Sequence, residues 1–192
     1  MLALDIDETI AMTNVYWAEY HIKTYGNPES LTAEEIIRKY RFVKDVPYWD
    51  MKEAKEWVET QIDSNEAKLN IPVIEDAIAV VNMLPIACYL TNRPASTNKG
   101  TKTWLSKHDF PNREIFASDL GIEWKAEMLI SMYPEVDGLI DDNEHIIPYL
   151  EGKYKGTLYL FSHKDPFETS LDVRVCPTWR DVYNLIIGQQ LK

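Results

Sequence analysis

Apolar residues fall along this chain in two alternating rhythms. Short runs rich in aliphatic and aromatic side chains, bounded by turn residues, read as buried strands. They cover residues 1–5, 85–91, 114–117, 136–141, 156–161 and 172–176. Between them the apolar positions recur at helical spacing. Residues 74–84 align Ile74, Ala77, Ile78, Val81 and Leu84, while 97–108 carries Trp104 and Leu105. Residues 124–132 carry Met128 and Leu129, and 179–187 aligns Trp179, Val182, Tyr183 and Ile186. Strand and helix alternating in this way predict an α/β fold, a parallel sheet covered by helices on both faces.

The segment of residues 15–72 breaks the rhythm. It offers no convincing strand, and its helical candidates are residues 12–25, 31–40 and 48–68, punctuated by Gly26-Asn27-Pro28 and Pro47. Thr32 and Glu35 have the spacing of a capping box for the second of these helices. A parallel crossover needs only about a dozen residues. The excess predicts a small helical cap over 15–72, inserted after the first strand, with residues 1–14 and 73–192 forming the core.

Composition adds little to the fold and more to the choice of partner. Hydrophobic residues are 45% of the chain and charged residues 27%, an ordinary globular balance. No run approaches the ~20 apolar residues that cross a bilayer, and the first residues lack the basic and apolar regions of a signal peptide. The expected location is therefore cytoplasmic, with no membrane partner. A net charge of −11 and a pI near 4.8 set the surface against a nucleic-acid polymer. A small phosphorylated substrate remains compatible, because a local cation can override the global field. Cys88 and Cys176 sit in apolar strand-like runs and are expected to be buried and reduced.

In a parallel α/β sheet ligands bind beyond the carboxyl ends of the strands. The first strand ends in Asp5-Ile6-Asp7, the second in Thr91-Asn92-Arg93-Pro94 and the fourth in Asp141-Asp142. Lys125 opens the helix between the third and fourth strands. Carboxylates so gathered repel one another unless a cation binds. A small set of oxygen ligands favours Mg²⁺, which keeps several waters and shares its shell with phosphate. Lysine and threonine beside it can hold phosphate oxygens.

The order Asp5-Ile6-Asp7-Glu8-Thr9, then Thr91, then Lys125, then Asp141-Asp142 resembles the four motifs of the haloacid dehalogenase-like superfamily. Leu90-Thr91-Asn92-Arg93-Pro94, followed by Trp104-Leu105 and Phe110-Pro111, is similar to its phosphatase branch, nearest the capped 5′-nucleotidase and deoxyribonucleotidase-like group. The resemblance implies a Rossmann-like sheet with a cap after the first motif. It implies a Mg²⁺-dependent phosphatase, with a nucleoside 5′-monophosphate or similar small metabolite as the favoured substrate. Asp5 is implied as nucleophile, Asp7 as general acid and base, and Thr91 and Lys125 as phosphate ligands. The metal is implied to rest on Asp5, the Asp7 carbonyl and Asp142, with Asp141 further out. Many members have Gly where this chain has Glu8, and no role for Glu8 follows from the motif.

Several residues carry two readings. Arg93 can bind phosphate or form an ion pair, and Asn92 can bind phosphate or shape a turn. Lys99 and Lys102 compete with Lys125 but read as solvated. Tyr16, Trp17, Tyr48, Trp49 and Trp57 can stack on a base, though their spacing suits a cap core better. The charged run of residues 50–59 reads as a solvated helix face. His21, His108, His145 and His163 show no ligand spacing. Two other functions remain open: a phosphatase of nucleic-acid ends, and a phospho-aspartate regulatory module of the receiver kind.

Overall fold

The computed structural model describes residues 1–40, 43–49, 64–162 and 168–188. Six strands form one parallel sheet: β1 (Leu2–Leu4), β2 (Ile86–Thr91), β3 (Glu114–Ala117), β4 (Gly138–Asp141), β5 (Thr157–Leu160) and β6 (Asp172–Val175). Their order is β3-β2-β1-β4-β5-β6, the doubly wound Rossmann-like order. The chain moves outwards from β1 to β3, then returns to place β4 on the other side of β1. That reversal opens a crevice between the carboxyl ends of β1 and β4, where Leu4 pairs with Ile140 and the Asp5 N–H donates to the Ile140 carbonyl.

The two-residue period of the strands sorts their side chains into two cores. Leu2, Leu4, Ile140 and Tyr159 face one side, and Ala3, Leu139, Leu158 and Leu160 the other. The first side is covered by α4 (Ala77–Val81), α5 (Asn98–Lys107) and α8 (Trp179–Ile186). The second is covered by α6 (Ile122–Ser131) and α7 (Ile147–Leu150). Burial on both faces explains why the inner strands β1, β2, β4 and β5 are largely apolar, whereas the edge strands β3 and β6 open on an exposed acid, and β6 alternates. The helix of α8 starts on a capping box in which Thr178 and Asp181 exchange hydrogen bonds.

The inserted segment begins with α1 (Thr13–Tyr25) and α2 (Ala33–Tyr40) and ends with α3 (Asn65–Lys68). Thr32 and Glu35 form the expected capping box at α2, with Glu35 accepting the Thr32 N–H at 2.7 Å and Thr32 accepting the Glu35 N–H at 3.2 Å. Ala18, Ala33, Ile36, Val46 and Trp49 make a third apolar cluster, separate from the two sheet cores. Trp17, one residue before Ala18, points the other way and joins the sheet core. The two chain segments that enter and leave the insertion pair with each other: Met12 N–H donates to Pro72 and Ile74 N–H to Ile10.

Two helix expectations need correction. A continuous helix over 48–68 does not exist, because Tyr48 lies in a turn and Ser64 is extended, capping α3 through the Ala67 N–H at 3.1 Å. The middle of that span, with Trp57 and most of the 50–59 charged run, lies outside the described residues. The helix expected over 74–84 shrinks to Ala77–Val81, since Asp76 takes a left-handed φ of 63° and turns the chain before it. Among the described residues no helix is long and apolar enough to cross a membrane.

Candidate active site

The crevice gathers the carboxylates that end β1 and β4. Asp5 is buried one residue beyond β1, and Asp141 is the last residue of β4 and fully buried. Lys125 arrives from the opposite side on α6, whose start is set by Gly121 at a φ of 90°, a conformation glycine adopts without a Cβ penalty. The residue is the fourth of its helix rather than the second, and only 3% exposed. Its ammonium lies 2.7 Å from Asp5 Oδ1 and 2.7 Å from Asp141 Oδ2. The first contact is an aligned hydrogen bond, whereas the second is an ion pair without hydrogen-bond alignment. Asp141 Oδ1 accepts the Asn143 N–H at 2.8 Å.

Burial pushes Asp5 up to about 7; Lys125 opposes that shift, while the charges of Asp141 and Asp7 add to it. Burial also works against the Lys125 charge, but Asp141 and Asp5 outweigh it and hold the ammonium above its ordinary pKa. Asp142 is half-buried, and its carboxyl is raised by burial and then by Asp141 and Asp5. Among the described residues it has no hydrogen-bond or ion-pair partner of its own. Asp5, Asp141 and Asp142 each offer a carboxylate oxygen, and these oxygens lie within 4.8 Å of one another. A donor set of this kind, all oxygen and only partly neutralised by Lys125, fits a hard divalent cation such as Mg²⁺.

Asp7 looks to other partners. Arg93, buried at the end of β2, holds it in a fork: Nε donates to Oδ2 at 2.8 Å and Nη2 to Oδ1 at 2.7 Å. Arg93 Nη1 donates to Thr101 at 3.2 Å, which fixes the guanidinium from behind. Thr13, the first residue of α1, donates its hydroxyl to Asp7 Oδ1 at 2.5 Å. Burial works to raise Asp7, but Arg93, followed by Lys68 and Thr13, outweighs it and holds the carboxyl well below the usual range. Of the two roles that the sequence left to Arg93, the structure shows the ion pair.

Thr91 ends β2 as expected, is buried, and its Oγ1 accepts the Arg93 N–H at 3.3 Å. Asn92 beside it is exposed, as are Lys99 and Lys102 on α5. Trp17 and Trp49 are buried in apolar cores, and Tyr16 and Tyr48 are half-buried. His21 is buried with Nδ1 2.8 Å from the Trp17 carbonyl, His108 packs on Trp104, and His145 is exposed. His163 lies outside the described residues. Both cysteines are free and buried, with burial raising each thiol.

Sequence reasoning did not single out Thr13, Thr101 or Lys68, and it read Trp104 and Trp179 as helix residues, Trp104 also within the resemblance, rather than as anchors of the site's backbone. Trp179 Nε1 donates to the Thr9 carbonyl at 2.9 Å, and Trp104 Nε1 donates to Ile71 at 2.8 Å. The first anchors the loop after β1 and the second anchors the return from the insertion. Both indoles are fully buried and need a partner, which was the one available signal.

No protein-family model matches the sequence, and a comparison with curated proteins gives no match. Solved structures do match. The chain is similar to a haloacid dehalogenase-like hydrolase of Burkholderia xenovorans LB400 at 13% identity, covering 100% of this chain and 98% of that one, with a TM-score of 0.57. It is also similar to a hydrolase of the same superfamily, subfamily IA, from Geobacter sulfurreducens PCA: 15% identity, 96% and 98% coverage, TM-score 0.56. These likenesses show the fold.

Proposed function

We propose that this chain is a Mg²⁺-dependent phosphomonoester hydrolase working through a phospho-aspartate on Asp5. The observation that carries the reading is the convergence of Asp5, Asp141 and Asp142 on one small volume, with Lys125 bridging two of them, at the point where the strand order reverses. Asp5, the Asp7 main-chain carbonyl and Asp142 would hold the cation. Asp142 suits direct ligation because its carboxylate is uncommitted, whereas Asp141 is already engaged by Lys125 and Asn143. The metal, when bound, screens the gathered carboxylates and the charge of the transferring phosphoryl group.

In this reading an Asp5 oxygen attacks phosphorus in line, and the bond to the leaving oxygen breaks. Asp7 gives that oxygen a proton. Water then attacks the phospho-aspartate, Asp7 takes the proton back, and Asp5 is released with inorganic phosphate. Lys125 and Thr91 steady the phosphoryl oxygens. In the free protein Arg93 holds Asp7 ionised, so Asp7 must gain a proton as substrate arrives. A phosphate dianion does both necessary things, raising the proton affinity of Asp7 and competing for Arg93. Arg93 therefore addresses phosphate only by loosening its hold on Asp7, and exposed Asn92 can offer its backbone N–H at the same edge.

Residues 15–72 serve as the cap, and the substrate is a small phosphorylated metabolite in the cytoplasm, with a nucleoside 5′-monophosphate the first to try. Trp17 and Trp49 are buried, so among the described candidates base stacking falls to the half-buried Tyr16 and Tyr48. The strand order, unlike the 2-1-3-4-5 order of flavodoxin-like sheets, speaks against a receiver module. The charge of −11 speaks against nucleic-acid ends. Phosphate release from a panel of phosphomonoesters with Mg²⁺ tests the proposal. Asp5→Asn should lose turnover, while its melting temperature stays level or rises because a buried charge has been removed. Turnover retained by Asp5→Asn refutes the nucleophile.

A further inference from the structure

Glu8 stands in the loop that carries both site aspartates, yet the proposed chemistry gives it nothing to do. Its backbone has a φ of 57°. Glycine makes such a turn freely, and a residue with a Cβ makes it at a cost. Burial pushes the Glu8 carboxyl up to about 7 against the hydrogen bonds it accepts from Asn14. A strained backbone and a desolvated acid at one residue call for a compensating contact.

That contact is at the start of α1. Helix α1 has no N-cap side chain of its own: Met12 stands at the cap position and no acid lies in the first turn. Glu8 Oε1 accepts the Asn14 N–H at 2.6 Å, so an acid six residues upstream supplies the missing partner at the positive end of the helix. The Glu8 N–H meanwhile donates to the Ala11 carbonyl at 2.8 Å, closing the turn tightly. The residue before Asn14 is Thr13, whose hydroxyl holds Asp7 Oδ1. Glu8 therefore reaches Asp7 through the first turn of α1: carboxylate to Asn14 N–H, Asn14 to Thr13, Thr13 hydroxyl to Asp7.

We propose that Glu8 is a positioning residue for Asp7, keeping the first turn of the inserted helix docked on the loop so that Thr13 orients the acid/base carboxylate. This rests on the reading of Asp7 as the proton donor to the leaving oxygen. The consequence is specific to the leaving group. An alkoxide must be protonated as it departs, whereas para-nitrophenolate is stable as the anion and needs no proton. Misplacing Asp7 should slow phospho-enzyme formation from the first kind of substrate and spare it for the second, whereas hydrolysis of the phospho-enzyme, which uses Asp7 as base, is common to both.

The test compares kcat/KM, which reports the step that expels the leaving group, for para-nitrophenyl phosphate and for an alkyl phosphate, a nucleoside 5′-monophosphate or glycerol phosphate, with Mg²⁺ saturating. Glu8→Ala and Glu8→Gly should lose kcat/KM on the alkyl phosphate on the order of 10²-fold. On the aryl phosphate their kcat/KM should stay within about threefold, whatever happens to the shared hydrolysis step. Glu8→Gly relieves the left-handed strain, so its fold is secure and a loss of rate with an unchanged melting temperature cannot be ascribed to unfolding. Glu8→Gln keeps an oxygen for the Asn14 N–H and should recover most of the alkyl rate.

An equal loss of kcat/KM on both substrates, or a Glu8→Gly variant with the full alkyl kcat/KM, overturns the proposal. Asp7→Asn run beside them separates the two levels. If Asp7→Asn is selective for the alkyl phosphate and Glu8→Ala is not, the positioning role alone fails. If the wild type is inactive on both substrates, or Asp7→Asn is unselective, the acid/base reading falls and this inference with it.

Discussion

Replacing Lys125 by methionine keeps the length of the side chain and removes its charge from the most crowded part of the site. In the wild type that ammonium lies 2.7 Å from both Asp5 and Asp141, at 3% exposure, where water cannot substitute for it. Deleting one partner of a buried ion pair costs about 3–5 kcal/mol, because the remaining charge stays desolvated. In a chain of this size each kcal/mol is worth about 2–4 °C, so the melting temperature in EDTA should fall by roughly 6–20 °C.

The loss should depend on pH. Asp5 already titrates at about 7 in the folded protein against an ordinary 3.8. Between those values the folded state binds more protons than the unfolded one, so this group's contribution to stability falls as pH rises. Without Lys125 the folded pKa moves higher still. The Asp5-linked deficit of Lys125→Met should therefore be level up to about pH 6, where the carboxyl is protonated with or without the lysine, and should grow as pH rises through 7 and beyond. Mg²⁺ should raise the melting temperature of the variant more than that of the wild type, since the cation meets carboxylates that lack their ammonium. Thermal melts over this pH range, with EDTA and with Mg²⁺, give the answer. A deficit that is the same at every pH would show that Lys125 matters through packing alone, and the electrostatic account of the site would be wrong.

Two further outcomes follow from the same geometry. Asp142→Asn should raise the Mg²⁺ concentration for half-maximal activity by at least on the order of tenfold and shrink the Mg²⁺-induced thermal shift; an unchanged metal requirement would remove Asp142 from the ligand set. Gly100→Ala, ordinarily a stabilising change within a helix, should here cost about 1–3 kcal/mol. A Cβ on Gly100 overlaps the Asn65 main chain, which cannot rotate aside, and disturbs the bond from Gly100 N–H to Asn65 Oδ1 at 2.5 Å. A melting temperature equal to or above that of the wild type would mean that α3 is not docked on α5 as described.

The strands and the acids at their ends were legible in the sequence because both are local signals. An apolar run of five or six residues shows a doubly buried strand wherever it occurs, and an acid at its end lies beyond the sheet by chain geometry alone. Thus Asp5, Thr91 and Asp141 stand where the sequence put them. The weaker helices were less legible: Asp76 turns left-handed and Ser64 starts a new helix, departures that depend on contacts rather than on periodicity.

Tertiary structure decided who faces whom. Lys125 meets Asp5 across 120 positions of sequence, and Arg93 meets Asp7 across 86. No spacing rule reaches so far, because the sheet order that brings those residues together is a property of the whole core. The run Asp5-Ile6-Asp7-Glu8 shows the division most sharply. Sequence by itself determined that acids end the first strand. Only the folded chain sends one to a lysine, one to an arginine, and the third to the open end of a helix, since burial leaves each carboxylate to find the nearest donor that folding supplies.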